Sequence, residues 1–215
     1  MLFGAPTLAT LIANAIALLL AITIHEFAHA WMANELGDPT AKNRGRLTLN
    51  PLSHLDPVGT LMILIARFGW GKPVPVNPYN LRNGPRTGGA MVALAGPLSN
   101  LALASALAVP IRFGVVEMSF FGGGIPSPGL IVGTALLLNV VLAVFNLLPI
   151  APLDGFRIAV GFLPSRWAYS LAQTERYGPL ILFALIAFGY TGIPIFAAII
   201  GPVIGFIITL LVGGV

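Results

Sequence analysis

Residues 8–34 read LATLIANAIALLLAITIHEFAHAWMAN. The stretch is apolar and long enough to cross a bilayer as an α-helix, which takes about 20 residues. Near its end it carries His25, Glu26 and His29. Ionisable side chains are costly inside a membrane and mark functional positions there. The stretch therefore predicts both a membrane protein and a site within the membrane.

The composition of the whole chain agrees with a place in lipid. The 215 residues are 57% hydrophobic and 8% charged, whereas a soluble domain has about 25% charged residues. The formal net charge is +4, but the 11 Lys and Arg are scattered through short connections, so we expect no nucleic-acid partner. The chain has no cysteine, which excludes a catalytic thiol and leaves histidine and carboxylate as metal ligands. Because the first apolar stretch contains the motif, we expect it to be retained and not removed as a signal peptide.

The apolar stretches predict an all-α polytopic membrane protein, a helical bundle of five spans. These are Leu8–Asn34, Gly89–Ile111, Leu130–Leu148, Tyr177–Thr191 and Ile193–Val212. A further stretch, 56–70, is brief and carries Arg67, so we expect a re-entrant or interfacial segment, with six spans as the alternative. Five spans put every lysine and arginine except Arg112 on one face, which the positive-inside rule assigns to the cytoplasm. The N-terminus is then outside and the C-terminus inside.

We expect a single domain over residues 1–215. Its catalytic core is predicted at about 8–165 and a C-terminal helical hairpin at about 177–212. The polar stretch Ala41–Leu49 and the proline-punctuated Pro73–Pro78 predict short extended pieces, or membrane-associated β elements, at the cytoplasmic face.

The H-E-x-x-H motif predicts a zinc site. Histidines at i and i+4 lie on one helical face, so His25 and His29 can reach one Zn²⁺. Glu26 can then act on a water held by the metal as a general base, which is the chemistry of peptide hydrolysis. The alternative is a pair of packed histidines with Glu26 bound to an arginine. It is less favourable here, because three ionisable groups in a lipid-buried helix need a compensating partner.

A catalytic zinc requires a third protein ligand, which we predict to be Asp154. Asp154 follows a long apolar span in Asn146-Leu147-Leu148-Pro149-Ile150-Ala151-Pro152-Leu153-Asp154-Gly155. The two prolines break the helix, and irregular backbone at membrane depth is tolerated where it is buried in protein or lines a cavity. Of the other acids, we expect Glu35, Asp38, Glu117 and Glu175 to be exposed and Asp56 to cap the turn at Pro57.

These two motifs together resemble the site-2 protease family of intramembrane metalloproteases. The resemblance extends over most of residues 20–165, including Gly45-Arg46-Leu47-Thr48-Leu49-Asn50-Pro51 and Ala95-Gly96-Pro97-Leu98-Ser99-Asn100. It is to the compact prokaryotic branch without PDZ or CBS domains, and residues 170–215 match only as generic spans. It implies zinc ligation by His25, His29 and Asp154, with Glu26 as the catalytic base. Ala151 stands where many relatives have a further proline.

Three further residues are candidates for accessory roles. Asn100 could hydrogen-bond a substrate backbone or a developing oxyanion, or could join two helices. Asn146 could orient a ligand or bind a carbonyl freed by Pro149. His54 could support the site or respond to pH, or could be a solvated loop residue.

The sequence thus predicts an intramembrane zinc metalloprotease with one Zn²⁺ per chain. Its expected partners are transmembrane protein substrates and the lipid bilayer, and its expected location is a cell membrane, as a multi-pass protein. A small transporter or channel also uses broken helices and buried ionisable groups, and a metal-free scaffold descended from a protease is the third hypothesis.

Overall fold

The computed structural model describes residues 7–59, 62, 70–120, 122, 124–190 and 195–213; for Tyr190 and residues 195–197 it describes the backbone only. The helices of this part are α1 Leu8–Glu35, α2 Thr40–Asn43, α3 Gly84–Arg112, α4 Pro128–Asn146, α5 Asp154–Phe162, α6 Ser165–Ala172, α7 Gly178–Tyr190 and α8 Ile195–Val212. Short 3₁₀ turns lie at Pro51–Ser53, Pro78–Asn80 and Glu175–Tyr177. Residues 57–59 are also helical.

Helices α1, α3 and α4 form the centre of the molecule. Each is long and apolar enough to cross a membrane, and they coincide with the first three predicted spans. The three pack against one another, α5 packs on α3, and α8 packs on α3 and α4. The prediction of a helical membrane protein is confirmed at this level.

Small residues let the central helices approach closely. The buried face of α1 has alanine at every fourth position, at Ala9, Ala13, Ala17 and Ala21. Gly96 of α3 lies directly against His25 and His29 of α1, and the buried residues Ala104 and Ala108 of α3 pack with α4 and α8. Because lipid gives helices no hydrophobic reason to associate, close backbone packing is a main source of attraction between them. The alanine stripe continues into His25 and His29, so the same spacing carries both imidazoles into the helix interface.

The bundle has two distinct ends, which we name by the motif. At the far end, where α1 begins, the Thr7 hydroxyl donates to the Gly122 carbonyl at 2.7 Å, and Ala9 and Ala13 pack on Leu130. At the site end, where α1 finishes, the Arg82 amide donates to the Leu36 carbonyl at 2.8 Å. The connections that follow α1 and precede α3 therefore meet at the site end.

Asp38 ties these two connections together. It is fully buried, and its carboxylate accepts hydrogen bonds from the Thr40 amide and hydroxyl, the Asn77 amide at 2.7 Å and the Asn80 side chain at 2.9 Å. The prediction of an exposed acid at this position was wrong. Burial alone would raise the pKa of Asp38, but the hydrogen bonds from Thr40, Asn80 and Asn77 outweigh it and hold the pKa below its ordinary value.

The predicted β elements are not seen as strands. Within the described residues the only β pairing is an isolated antiparallel bridge between Leu55 and Gly71. Residues 41–43 belong to α2, so the predicted extended piece is wrong there, and residues 73–77 are irregular. Val74 and Val76 alternate with Pro73 and Pro75. The prolines have no amide hydrogen to donate, so this stretch cannot form a regular strand ladder.

The segment 56–70 begins and ends at the same face. The Leu55–Gly71 bridge is joined by a hydrogen bond from the Lys72 amide to the His54 carbonyl at 2.8 Å. The Asp56 carboxylate accepts from the Gly59 amide at 2.8 Å, the cap predicted for it. A single crossing would separate the two ends by about 30 Å, so their pairing fits a re-entrant or interfacial segment. Most of the segment, including Arg67, lies outside the described residues.

Helix α8 runs in the opposite direction to the one predicted. The Arg112 guanidinium, at the far end of α3, donates to the carbonyls of Leu210 and Leu211 at 3.1 and 3.4 Å. The end of α8 therefore lies at the far end, whereas five crossings would return it to the site end. The expectation came from treating 177–191 as a full span, but α7 has 13 residues and a length of about 20 Å, too short for the hydrocarbon core of about 30 Å.

Candidate metal centre

Three predicted residues converge at the site end. The Nε2 atoms of His25 and His29 lie 3.0 Å apart, and Asp154 Oδ2 lies 3.1 Å from the first and 3.3 Å from the second. Both histidines are buried and the aspartate is nearly so. Two residues separated by one helical turn of α1 thus meet a third residue at the start of α5.

The hydrogen bonds of the histidines define where their protons are. His25 Nδ1 lies 2.7 Å from Asn100 Oδ1, and His29 Nδ1 lies 2.8 Å from the Val92 carbonyl oxygen. Neither oxygen can donate a hydrogen bond, so both Nδ1 atoms carry the proton. A ring protonated on Nδ1 alone presents its Nε2 lone pair to the other ring and to Asp154.

This arrangement fits a metal ion. Two nitrogen lone pairs and a carboxylate oxygen face one another, and Asp154 Oδ2 is buried without a hydrogen-bond donor. Such a cluster is unfavourable unless a proton or a metal cation lies among its atoms. The separations of 3.0–3.3 Å are close to the ~3.3 Å between tetrahedral ligands of zinc. Two imidazoles and one carboxylate are a common ligand set for catalytic zinc.

Local backbone geometry holds Asp154 in place. The chain leaves α4 and turns through residues 147–153, where the amides of Ile150 and Leu153 find carbonyl partners at 2.8 and 2.9 Å. Asp154 opens α5, where the helix dipole favours a carboxylate. A Cβ on Gly155 would lie 2.2 Å from the Leu147 carbonyl oxygen, so the turn requires glycine at this position.

Gly96 allows α3 to pack directly on both histidine rings. A Cβ at this position would lie 2.5 Å from His29 Nε2 and 2.6 Å from His25 Cε1. These contacts are far shorter than van der Waals distances, so any side chain here would displace the ligand atoms. The close approach expected at Gly96 therefore has a direct consequence for the site.

Glu26 lies beside the three converging groups and is not one of them. Its side chain is half-buried, and a Cβ on Gly71 would lie 3.6 Å from Glu26 Oε1. The carboxylate thus faces the segment that returns from 56–70. Glu26 is therefore not used to complete the group formed by His25, His29 and Asp154.

Known proteins of similar sequence bear names that match this chemistry. Relatives named "Putative zinc metalloprotease" include YwhC of Bacillus subtilis, 42% identical over 174 residues that cover 79% of this chain and 78% of YwhC. Rip2 of Mycolicibacterium smegmatis is 34% identical over 172 residues, 78% of this chain and 64% of Rip2. Rip3 of Mycobacterium tuberculosis is 34% identical over 104 residues, 46% of this chain and 24% of Rip3. No family model and no solved structure matches the chain.

The chain belongs to the site-2 protease family. The family resemblance read from the two motifs is thereby confirmed. Three further residues of this site-2 protease were predicted to have accessory roles, and the structure gives the surroundings of each: Asn100, Asn146 and His54.

Asn100 joins helices instead of facing a substrate. It is fully buried, and its Nδ2 donates to the Ala21 carbonyl at 3.0 Å and to Asn139 Oδ1 at 2.8 Å. Both amide hydrogens are therefore in use, which leaves no donor for an oxyanion. Of the two roles considered for Asn100, the structure shows the one between helices, together with a direct contact to His25.

Asn146 makes neither of the contacts expected of it. Its side-chain amide donates to the Leu142 carbonyl at 3.0 Å, within its own helix. The carbonyl freed by Pro149 is that of Phe145, and this accepts from the Leu148 amide at 3.2 Å. The backbone of the turn thus compensates for the proline without Asn146.

His54 is fully buried, so the expectation of a solvated loop residue was wrong. Its Nε2 donates to the Thr48 carbonyl at 2.8 Å, and its Nδ1 lies 3.5 Å from an Arg46 nitrogen. Arg46 is itself buried and donates to the carbonyls of Lys72 and Pro73. Burial lowers the pKa of the Arg46 guanidinium, and the nearby Glu26 carboxylate opposes that shift. Arg46 and His54 thus fasten the chain at 72–73, next to Gly71 and Glu26.

The competing acids lie away from the three converging groups. Glu35, Glu117 and Glu175 are exposed, as predicted. Glu175 shares a cavity with Pro152 and Arg157 close to Asp154, whereas Glu117 precedes α4 at the far end. Glu117 is therefore the better control for experiments on charge.

Two residues that support the site were missed in the sequence. Arg46 was counted as a cytoplasmic cation and quoted within a family-like stretch but was given no role at the site, although it reaches into a buried cluster. Asn139, fully buried in the middle of α4, was not singled out at all. The available signal was an amide side chain inside an apolar span, which needs a hydrogen-bond partner.

Proposed function

We propose that the chain is an intramembrane zinc metalloprotease that hydrolyses peptide bonds in transmembrane segments of other proteins. The observation that carries the proposal is the meeting of His25 Nε2, His29 Nε2 and Asp154 Oδ2 within one helix interface. Membership of the site-2 protease family and the names of the relatives support it. We further propose that the protein is a multi-pass protein of the cell membrane.

His25, His29 and Asp154 would hold one Zn²⁺ per chain. When bound, zinc acts as a Lewis acid and lowers the pKa of a water to about 7. His25 Nδ1 donates to Asn100 Oδ1 and His29 Nδ1 donates to the Val92 carbonyl, so both imidazoles offer their Nε2 atoms without rearrangement. Ligands oriented in this way bind metal more tightly than free ones.

Glu26 is proposed as the general base. It follows His25 on α1 and keeps its carboxylate outside the group of three ligands. From there it can take a proton from the attacking water and deliver it to the leaving amine. The guanidinium of Arg46 lies close enough to interact with the Glu26 carboxylate.

The substrate must unwind to be cut. A peptide bond within a helix is shielded and hydrogen-bonded, and the three ligands lie at the site end of the bundle. We therefore propose that preferred substrates carry Gly, Pro or Asn near the cytoplasmic end of a transmembrane segment. An extended substrate could pair with the irregular residues 73–77, which would satisfy its released backbone groups.

The roles of base and ligand are separated by two isosteric variants. Glu26→Gln cannot accept a proton, so it should keep zinc and lose cleavage of a membrane substrate in detergent. Asp154→Asn replaces an anionic ligand by a weak neutral one, so it should lose both cleavage and zinc under mild chelation. Glu117→Gln, the control, should match the wild type in both measurements. Full zinc retention by Asp154→Asn would show that the third ligand is wrong.

A metal measurement on the wild-type protein separates this proposal from its competitors. A transporter needs no glutamate beside paired histidines, and a metal-free scaffold would hold no zinc. About one tightly held zinc per purified chain, lost on substitution of His25 or His29, is expected only for the protease. A chain that binds no zinc would exclude the proposed activity.

Substrate preference can be tested separately. Replacement of Gly, Pro or Asn by Leu in the substrate segment stabilises its helix and should slow cleavage about tenfold. The same replacement far from the cut should have no effect. Unchanged cleavage in several substrates would rule out unwinding as the basis of selection.

A further inference from the structure

Two asparagines from different helices form a buried chain behind His25. Asn100 of α3 and Asn139 of α4 are both fully buried. Asn100 Oδ1 accepts from His25 Nδ1 at 2.7 Å, and Asn100 Nδ2 donates to Asn139 Oδ1 at 2.8 Å. Asn139 Nδ2 in turn donates to the Ala135 carbonyl at 2.8 Å. These hydrogen bonds therefore link the α4 backbone to an imidazole on α1.

The donors and acceptors of this hydrogen-bond chain can run in one direction only. A backbone carbonyl cannot donate, so the Ala135 oxygen requires the Nδ2 group of Asn139 on its side, which turns Oδ1 of Asn139 toward Asn100. That oxygen requires Nδ2 of Asn100, and the Ala21 carbonyl at 3.0 Å requires it as well. Oδ1 of Asn100 must then face His25. Reversal of either amide would place donor against donor or acceptor against acceptor.

We propose that Asn139, acting through Asn100, fixes the tautomer and ring orientation of His25. Because Oδ1 of Asn100 only accepts, the imidazole must carry its proton on Nδ1 and keep the Nε2 lone pair for the metal. Asn139 is thus a positioning residue two side chains away from the ligand atom. The inference rests on the proposed role of His25 as a metal ligand.

The second histidine lacks such a relay. His29 Nδ1 is bound to the Val92 backbone carbonyl at 2.8 Å, which no side-chain substitution removes. The two ligands of α1 therefore differ in how they are oriented. Substitution in the asparagine chain should affect His25 and leave the tautomer of His29 unchanged.

The first experiment measures zinc affinity of the full-length chain by competition with a chelator. Asn139→Leu removes one of the two acceptors of Asn100 Nδ2 and leaves the Ala21 carbonyl as the other. The amide of Asn100 is then held less firmly against His25, and zinc affinity should fall at least about tenfold. Asn139→Asp, when protonated on the oxygen that faces the Ala135 carbonyl, keeps a donor toward Ala135 and an acceptor toward Asn100, so affinity should stay within about threefold of the wild type. Asn14→Leu is the matched control, since Asn14 also donates to a carbonyl four residues earlier, that of Thr10, at the far end of α1. It should bind zinc as the wild type does.

The outcomes distinguish this inference from the proposed function. A wild-type chain without zinc affinity would overturn both. A wild-type chain with zinc affinity that Asn139→Leu retains would overturn only the relay. Equal loss in Asn139→Leu and Asn139→Asp would also overturn it, because the acceptor would then not be the property that matters.

A second measurement tests the tautomer without any variant. The chain has 3 histidines, so selective ¹⁵N labelling gives a spectrum simple enough to assign. In the metal-free wild-type chain, His25 should carry its proton on Nδ1. A proton on His25 Nε2 would overturn the proposal even if Asn139→Leu failed to fold.

Discussion

The interface that α1 forms with α3 and α4 differs from the interface that α8 forms with the same two helices. The first interface contains His25, Asn100 and Asn139, joined by short hydrogen bonds among small residues. The second is an apolar cluster that includes Ile200 and Val212. Its polar contact among the described residues is the one from Arg112 at its end.

The difference shows what determines how the helices of a membrane protein are placed relative to one another. Apolar contact with a neighbour is little better than apolar contact with lipid, so an apolar interface allows several similar arrangements. Hydrogen bonds between buried groups allow only one arrangement. Chemistry that needs atoms in fixed places therefore belongs in the first interface, and α8 can vary with little cost.

The largest effect should come from a methyl group added at Gly96, where α3 packs on the histidines of α1. In Gly96→Ala the new Cβ would lie 2.5 Å from His29 Nε2, so the rings must move. We expect loss of zinc and a fall in cleavage of about 100-fold or more, since displacement of about 1 Å is enough for that.

The matched control for Gly96→Ala lies in α8. A Cβ on Gly205 would meet no atom within 4 Å. Gly205→Ala should leave zinc and cleavage unchanged and stabilise the helix by up to about 1 kcal/mol. Equal behaviour of the two variants, measured by metal content and cleavage rate, would remove the distinction between the interfaces.

The next effect concerns the two ends of the bundle. Cysteines introduced at Ser53, Asn83 and Gly213 should divide into two groups when an impermeant reagent is added to sealed vesicles. Ser53→Cys and Asn83→Cys should react from one side, because the ends of segment 56–70 lie together. Gly213→Cys should react from the other side, because Arg112 binds the end of α8 at the far end. Reaction of all three from one side would restore the five-span topology.

A smaller effect is expected at Asp38, which fastens the connections at the site end. Asp38→Asn should lower the free energy of unfolding by about 1–3 kcal/mol, because it weakens the bonds of several buried donors. The folded-state pKa lies below the ordinary 3.8, so this stabilisation is complete above that value and is lost as pH falls through the folded pKa.

The pH dependence of thermal unfolding in detergent provides the check. The difference between wild type and Asp38→Asn should be constant near neutral pH and should shrink only in acid. Glu35→Gln removes an exposed carboxylate nearby and should change little. A difference that grew as pH fell would have the wrong sign for a lowered pKa.

The smallest effect is expected at Arg112. Within the part of the chain that the structure describes, its exposed guanidinium binds the Leu210 and Leu211 carbonyls at the end of α8, so Arg112→Ala should cost at most about 1 kcal/mol. Cleavage should stay within about twofold of the wild type, while proteolysis near residue 213 should become faster. A loss of cleavage comparable with that of Gly96→Ala would place α8 in the catalytic machinery.

The sequence predicted the central part of the site because its signals are local or topological. The spacing of His25 and His29 follows from helix geometry alone. Asp154 follows from the cost of an acid at the end of an apolar span, and from two crossings that run in the same direction. The structure brings all three together, and their roles as zinc ligands remain predictions.

The sequence failed where a residue's surroundings depend on distant parts of the chain. Asp38 follows a helix end, where exposed acids are common, but residues 77–80 fold over it. His54 lies in a loop, but Arg46 and the 72–73 backbone enclose it. Asn139 belongs to no motif, and its partner is on another helix. The direction of α8 depends on α7, whose predicted stretch Tyr177–Thr191 is visibly short in the sequence but was still counted as a crossing.

The alanine stripe of α1 has a further consequence for sliding of the helix along its axis. Ala9, Ala13, Ala17 and Ala21 present nearly the same surface at each turn, so displacement by one turn, about 5.4 Å, would change their packing little. Asn100 prevents this degeneracy, because it binds both the imidazole of His25 and the carbonyl of Ala21, a pair of groups that occurs at one height only. Different residues therefore serve packing and axial position. The alanines allow α1 to pack closely and can be exchanged for other small residues at most positions, while the Asn100 amide sets the position of α1 along its axis.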